Sequence, residues 1–540
     1  MSQPVTTLTI LSEVSSKLEK EAQLSDVGSS PDASVIDLLR YHETNVGRLV
    51  VDIEEAKIEF GEEIANNLKL AEDGKTVLWP QPTDDPEDPQ NWTRFRKNLQ
   101  LFITTLAAIV PDFDSGIGIA SIFALAQEYD TTTGVINNLT WSIFLLGWGG
   151  IFSVMLMRRY GRLPIMFWTQ LLSLGFLVGC TFAPNLKTFA AMRCLNAFFA
   201  TTPQVTGLYI VTDLFPFHLQ ARKLNIWTMG FIISPFLSPF LFGFLVARAS
   251  WRWAYGIGSI YGAIVLLLIA FFGEETIYDR TSSNPRLFAK AGFLYRLQTL
   301  LGVTGVRMAK YRSSWAEVIF ACINIIWRPH ILMILIFEAA VFGFGIGVNV
   351  TTAVFLGTPP PVGFGFGHFA TAGVYGTPIV ATFMGELLGR YFNDWVMNLC
   401  IRRNKGVFEA ENRLWTCYVA VPLYVCGFVL IGAAFQDHLN IGAFIIGWGV
   451  NTIAIMINTV AVYAYCNDCF PRSQGEVSSL VNLARILGGF SVAYFQVPWA
   501  AKNGALQTFG VESAVVAGLF LLVIPFLQVK GSNLRSRFSL

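Results

Sequence analysis

From about residue 98 to residue 529 the chain runs through twelve apolar stretches separated by short polar connections. A helix that crosses about 30 Å of hydrocarbon must satisfy every backbone N–H and C=O internally, which takes roughly 20 mostly apolar residues. Each stretch meets that length. The expected spans are 98–122, 134–157, 163–183, 187–211, 224–247, 253–273, 330–356, 367–389, 413–434, 439–464, 474–499 and 508–529. The pattern predicts an all-α multi-pass membrane protein and excludes a soluble enzyme.

Lys and Arg alternate between connections. Arg94, Arg96 and Lys97, then Arg158, Arg159 and Arg162, then Arg222 and Lys223 fall on one side, and the segment 274–329 is rich in both. Loops 122–134, 357–366 and 435–438 have neither. Because basic loops are retained in the cytosol, both ends of the chain are expected there.

The longest basic connection divides six spans from six. The expected organisation is a polar, largely disordered tail (1–97), a six-helix bundle (98–273), a cytosolic central loop (274–329), a second bundle (330–529) and a short tail (530–540). Each half has a charged turn between its second and third spans, MRRYGR at 157–162 and GRYFND at 389–394. A 6+6 chain of this kind matches an internally repeated transporter, with its substrate site near midplane between the halves.

Composition fits this picture: 53% of residues are hydrophobic and 14% charged, and the net charge of +1 leaves no basic footprint for nucleic acid. The eight cysteines sit mostly within spans and are expected to be reduced, and the lone CxxC of Cys466 and Cys469 has no second ligand pair for a metal. Gly74 to Thr76 forms the only GK[ST] tripeptide, and Lys69 stands where a Walker loop needs glycine, so ATP is excluded as the energy source. No cofactor is expected; coupling, where present, draws on an ion gradient. No span or loop offers a recognisable nucleophile and base, which argues against an enzyme.

The stretches DPEDPQNW (85–92), PQVTGLYIVTDLFPFHLQARKLNIW (203–227), SWRWAYGIGSI (250–260), EETIYDR (274–280) and NKGVFEAENRL (404–414), with the turn Arg159, Gly161, Arg162, resemble the major facilitator superfamily. They are most similar to its fungal drug:proton antiporter branch with twelve spans, over roughly 85–530. The resemblance implies two pseudo-symmetric six-helix bundles and a cytosolic gate around Arg159, Gly161, Arg162, Asp213 and Asp394. Asp213 is placed to accept Arg159 or Arg162, unless these arginines merely set topology. Two departures stand out. Val154 and Arg158 replace the family's glycine and acid, so Arg158 should repel what that acid would hold. In span 5, Gly230, Ser234, Pro235, Ser238 and Pro239 approximate the antiporter motif GxxxGPxxG, with serines at two glycine positions, as a close-packed, kinked helix.

Charges inside spans are costly and take paired or functional roles. Asp112 lies roughly 21 Å from the cytosolic start of span 1, and Arg193 roughly 9 Å from the outer end of span 4, so their depths nearly coincide. Both spans line the cavity of the resembled fold. Asp112 and Asp114 differ by about 200° around the helix, so one of them can face Arg193. These three residues are the expected proton-coupling set; a static buried pair is the alternative. Glu338 is a candidate contact for a cationic substrate or a second proton site, with a static pair with Arg485 as the alternative, and Glu386 should pair with Arg390. Asn196, Gln204, Asn349, Asn451 and Asn458 either contact substrate or bridge helices.

The resulting expectation is a monomeric, proton-coupled transporter in the plasma membrane that exports a small amphipathic organic compound by alternating access. Proton-coupled uptake of an organic acid, vitamin or amine, and a non-transporting nutrient receptor of the same fold, are the alternatives.

Overall fold

A computed structural model of the chain describes residues 48–132, 135–136, 141–278, 292–359, 363–471 and 473–538. Each of the twelve expected stretches contains helix among the described residues. Spans 1 to 6 are Arg94–Ala120, Trp141–Tyr160, Arg162–Thr181, the pair Leu186–Ala200 and Thr202–Leu214, Phe217–Val246 and Arg252–Phe272. Spans 7 to 12 are Pro329–Gly357, the pair His368–Val374 and Gly376–Arg403, Cys417–Gln436, Ile441–Cys469, Gln474–Asn503 and Ala505–Arg537.

Ten of the described helices are by themselves long and apolar enough to cross a membrane. Span 4 falls short because it breaks at Thr201, where Pro203 has no N–H for the carbonyl four residues earlier. Span 8 breaks at Tyr375 beside Pro378, and its long piece carries Glu386, Arg390, Asp394, Arg402 and Arg403. Span 8 also continues well past its expected end at 389, and span 12 runs through the expected tail 530–540 as far as Arg537.

The halves repeat each other in packing. Span 1 packs most extensively on span 5, and span 7, its equivalent in the second half, on span 11. Small residues set these distances. A Cβ on Gly230 would lie 2.8 Å from Thr105 Cγ2, and one on Gly488 would lie 2.1 Å from the Ala339 carbonyl oxygen, so a larger residue at either position would push the helices apart. Between halves, span 2 meets span 11 and span 5 meets span 8, again an equivalent pair.

The expectation of a largely disordered tail fails for residues 48–92; residues 1–47 lie outside the described residues. Strand β1 (Arg48–Val50) pairs antiparallel with β2 (Val407–Glu409), between spans 8 and 9, with Leu49 opposite Phe408. Val50, Val77 and Trp79 share a buried cluster with Phe217, Met397 and Phe408. Trp79 Nε1 donates to the Val50 carbonyl at 2.7 Å, and the Phe217 amide donates to the Trp79 carbonyl at 2.8 Å. The segment is therefore a strap that touches both halves, and the face it covers is called the tail face below. The central connection is likewise more than a loop. Residues 279–291 lie outside the described residues, and Phe293–Leu300, Val303–Met308 and Trp315–Ile326 are short helices, the last with a Ser314/Glu317 capping box.

Candidate functional site

A cavity of about 360 Å³ lies between the halves. Its wall includes Ser115 and Ile119 of span 1, Phe123 of the short helix Ile122–Glu128 that follows, and Asn349 and Ala353 of span 7, with further residues from spans 2, 4, 5 and 11. The wall is mostly apolar. Among the residues that line it, the charged ones are Asp112, Arg193 and Arg485.

Asp112 and Arg193 thus come to one cavity, as their depths predict, but they do not form an ion pair. Gln204 Nε2 donates to Asp112 Oδ2 at 2.7 Å, and Arg193 Nη2 donates to the Ser115 carbonyl at 3.0 Å. Asp114 points behind the cavity wall, where Asn196 Nδ2 donates to it at 3.2 Å and to the Ser173 carbonyl and hydroxyl at 3.0 Å. The 200° offset therefore separates the two aspartates into a cavity group and a buried brace.

Glu338 is 0% exposed and does not line the cavity. It accepts from Asn458 Nδ2 at 2.9 Å and Thr459 Oγ1 at 2.8 Å, and the expected ion pair with Arg485 is not made. Arg485, 1% exposed, instead lies between two rings, 3.8 Å from the centroid of Phe342 and 4.2 Å from that of Phe231. Its Nη1 reaches the Tyr463 hydroxyl at 3.4 Å, while Nε has no hydrogen-bond partner.

Of the six expected substrate contacts, Asn349 alone lines the cavity; Asn196, Gln204, Glu338, Asn451 and Asn458 do not. Asn349 Nδ2 donates at 3.0 Å to the carbonyl of Pro235 in the other half. That carbonyl is free because Pro239, four residues on, has no N–H. The span 5 motif thus packs as expected: Ser234 Oγ bonds the Ile109 carbonyl of span 1, and Pro235 faces the cavity. Asn451 packs against Gly427, and neither of its amide atoms has a partner.

The tail face is closed by charge. Arg158, at the end of span 2, is ion-paired with Glu476, at the start of span 11. Arg222, at the start of span 5, is ion-paired with Asp394 in span 8. The two contacts occupy equivalent helix pairs with the charges exchanged. Arg158 thus holds an acid of the other half, which corrects the expected repulsion. Thr212 Oγ1 adds a 2.5 Å bond to Gln474 across the same seam. Arg162 pairs with Asp213, one of the two pairings left open, and its amide with that of Leu163 donates to Glu275. Arg159 does not reach Asp213; it donates to the Ser313 carbonyl at 3.1 Å. Gly161 has φ +109°, a conformation open to glycine, which lets span 3 begin at once after span 2. Glu386 and Arg390 form their expected pair.

The sequence pattern does not reveal Glu476, the partners Arg413–Asp468 and Arg535–Glu411, or the buried chain Thr351, Gln496, Glu512. Most of these sit near span ends, where a charge reads as a topology signal. The equivalence of span pairs 2/11 and 5/8 could have exposed Glu476 as the counterpart of Arg222. All eight cysteines are free thiols.

With this geometry in view, the relatives are informative. Residues 103–493 match the family model of the Major Facilitator Superfamily, and the chain belongs to that family. Fluconazole resistance protein 1 of Saccharomyces cerevisiae is 26% identical, over 86% of this chain and 84% of its own. Efflux pump radE of Floropilus chiversii is 23% identical, over 86% and 85%. Among solved structures, the proton:xylose symporter XylE superposes with a TM-score of 0.56 at 13% identity, covering 81% of this chain and 96% of its own. The chain is therefore a multi-pass secondary transporter that moves a small molecule across a membrane.

Proposed function

We propose that this transporter exports a small amphipathic organic compound from the cytosol across the plasma membrane in exchange for protons, as a monomer, without a cofactor or any chemistry on its cargo. The observation that carries proton coupling is Asp112, a carboxylate on the cavity wall held by an amide and not by a cation. A carboxylate so placed gains and loses a proton as the cavity's solvation changes, and Arg193 and Arg485 on the same wall are the cations whose approach or withdrawal can time that exchange. Export is supported by the relatives named as an efflux pump and a fluconazole resistance protein. The basic connections support a cytosolic tail face, and on this reading the closed charged seam is the inner gate.

One observation favours a second reading, proton-coupled uptake of an organic acid. Two guanidiniums face the cavity against a single carboxylate, so a proton on Asp112 would strengthen binding of an anion. Reconstitution in liposomes with an internal pH dye separates the two. Proton movement opposite to the cargo is expected for export by antiport, and movement with it establishes uptake. Cargo binding with no flux would contradict both and favour a receptor.

A further inference from the structure

The cavity's two arginines are placed in a way that proton coupling alone does not require. Arg485 is almost fully buried, lines the cavity and lacks an ion pair. The acidic groups it acts on electrostatically come from spans 1 and 7 and bond elsewhere: Asp112 Oδ2 accepts from Gln204, and Glu338 accepts from Asn458 and Thr459. The rings of Phe231 and Phe342 hold the guanidinium from its two sides, and Nε is left without a partner. Arg193, on the other half of the protein, also reaches the cavity and also has an Nε without a partner.

We propose that this cavity recognises the anionic group of an amphipathic organic acid, a carboxylate or sulfonate held between Arg485 and Arg193. The inference rests on reading the cavity as the cargo site and adds the chemical class of the cargo. A guanidinium presents its donors as a rigid fork that matches the two oxygens of such a group. A buried cation without an ion pair is a costly arrangement that a bound anion completes. The rest of the wall, including Ile119, Ile122, Ile346 and Val354, suits an apolar body and not an inorganic ion, and about 360 Å³ falls in the range of small-molecule sites. Because Arg193 belongs to span 4 and Arg485 to span 11, one anion would contact both halves, which is how cargo can govern their relative movement.

The test reads the sign of the cavity's field and does not require the cargo to be identified first. Ala353, on the cavity wall, is changed to Cys in a full-length chain whose eight native cysteines have been replaced. The reconstituted protein is labelled with anionic sulfonatoethyl or cationic trimethylammonioethyl methanethiosulfonate, with rates normalised to a free thiol. The anionic reagent should react at least about tenfold faster, as a focused positive cleft requires. R485Q should remove most of that ratio, and R485K should keep it, which guards against a simple folding defect. Naphthylacetate should protect the cysteine and naphthylethylamine should not. A faster cationic reagent, no labelling by either reagent, an unchanged ratio in R485Q, or protection by the amine instead of the acid overturns the proposal, as does no protection by the acid. No proton gradient is present in this assay, so a failure of proton coupling in the liposome experiment would leave its result standing.

Discussion

The tail face and the cavity end join the same two halves by different chemistry. At the tail face, Arg158–Glu476 and Arg222–Asp394 are ion pairs across the seam, Thr212 bonds Gln474, and the 48–92 strap is anchored on both sides. At the cavity end the halves meet through apolar contacts such as Trp141 against Phe490 and through neutral bonds such as that from Asn349 to the Pro235 carbonyl. Charged contacts are directional and fail once the groups separate, whereas apolar surfaces can slide with little loss. The difference describes a molecule latched on one face and adaptable on the other. Alternating access then amounts to releasing a small, named set of charged contacts.

The largest effect should come from the latch. Arg158→Glu places two acids together where Glu476 is 1% exposed and loses the half-buried cation that neutralises it. Flux should fall by well over tenfold and recover substantially in the exchanged pair Arg158→Glu with Glu476→Arg. A double-mutant cycle on flux measures this coupling, and additive losses would show that the two residues act separately.

Next comes the separation of the two aspartates. Asp112→Asn should abolish proton-driven flux and its pH dependence while sparing cargo exchange in the absence of a gradient. Asp114→Asn should leave the pH dependence in place, since that side chain faces Asn196 and Ser173 behind the wall. Flux against pH for both variants decides it; the same pH profile in both would erase the distinction.

The strap should matter less. Trp79→Ala removes a buried indole from the cluster with Phe217 and Phe408, a loss of about 3 kcal/mol to that cluster. Limited proteolysis should then cut between residues 48 and 92 much faster, with flux changed by less than tenfold. The smallest effect is expected at the cavity end. Asn349→Ala forfeits one hydrogen bond between halves, about 1 kcal/mol, and should shift the KM for cargo by a few-fold at most.

How much of this was legible in the sequence follows from where each signal resides. The spans could be read because a bilayer imposes one length and one polarity on each of them. Their ends could not, because hydropathy stops at the hydrocarbon while spans 8 and 12 continue to Arg403 and Arg537. The strap was illegible because Leu49, Val50, Val77 and Trp79 are too sparse to show an apolar face, and Phe217, Met397 and Phe408 supply the other part of their core. Asp112 and Arg193 stand out as charges deep within apolar runs. Their partners do not, because Gln204 and Ser115 are distant in sequence and meet them only through helix packing. The Arg158 departure is visible, but its consequence depends on Glu476, more than 300 residues away, as the separation of 318 shows.

The central claim is that the charged seam holds one face closed while the other stays free to move. Spin labels at positions 95 and 403 on the tail face, and at 187 and 437 on the opposite face, report both gaps by double electron–electron resonance in a chain without its native cysteines. In Glu476→Gln the tail-face distance should lengthen and the opposite distance shorten relative to the parent chain. Unchanged distances, or two distances that move in the same direction, would contradict it.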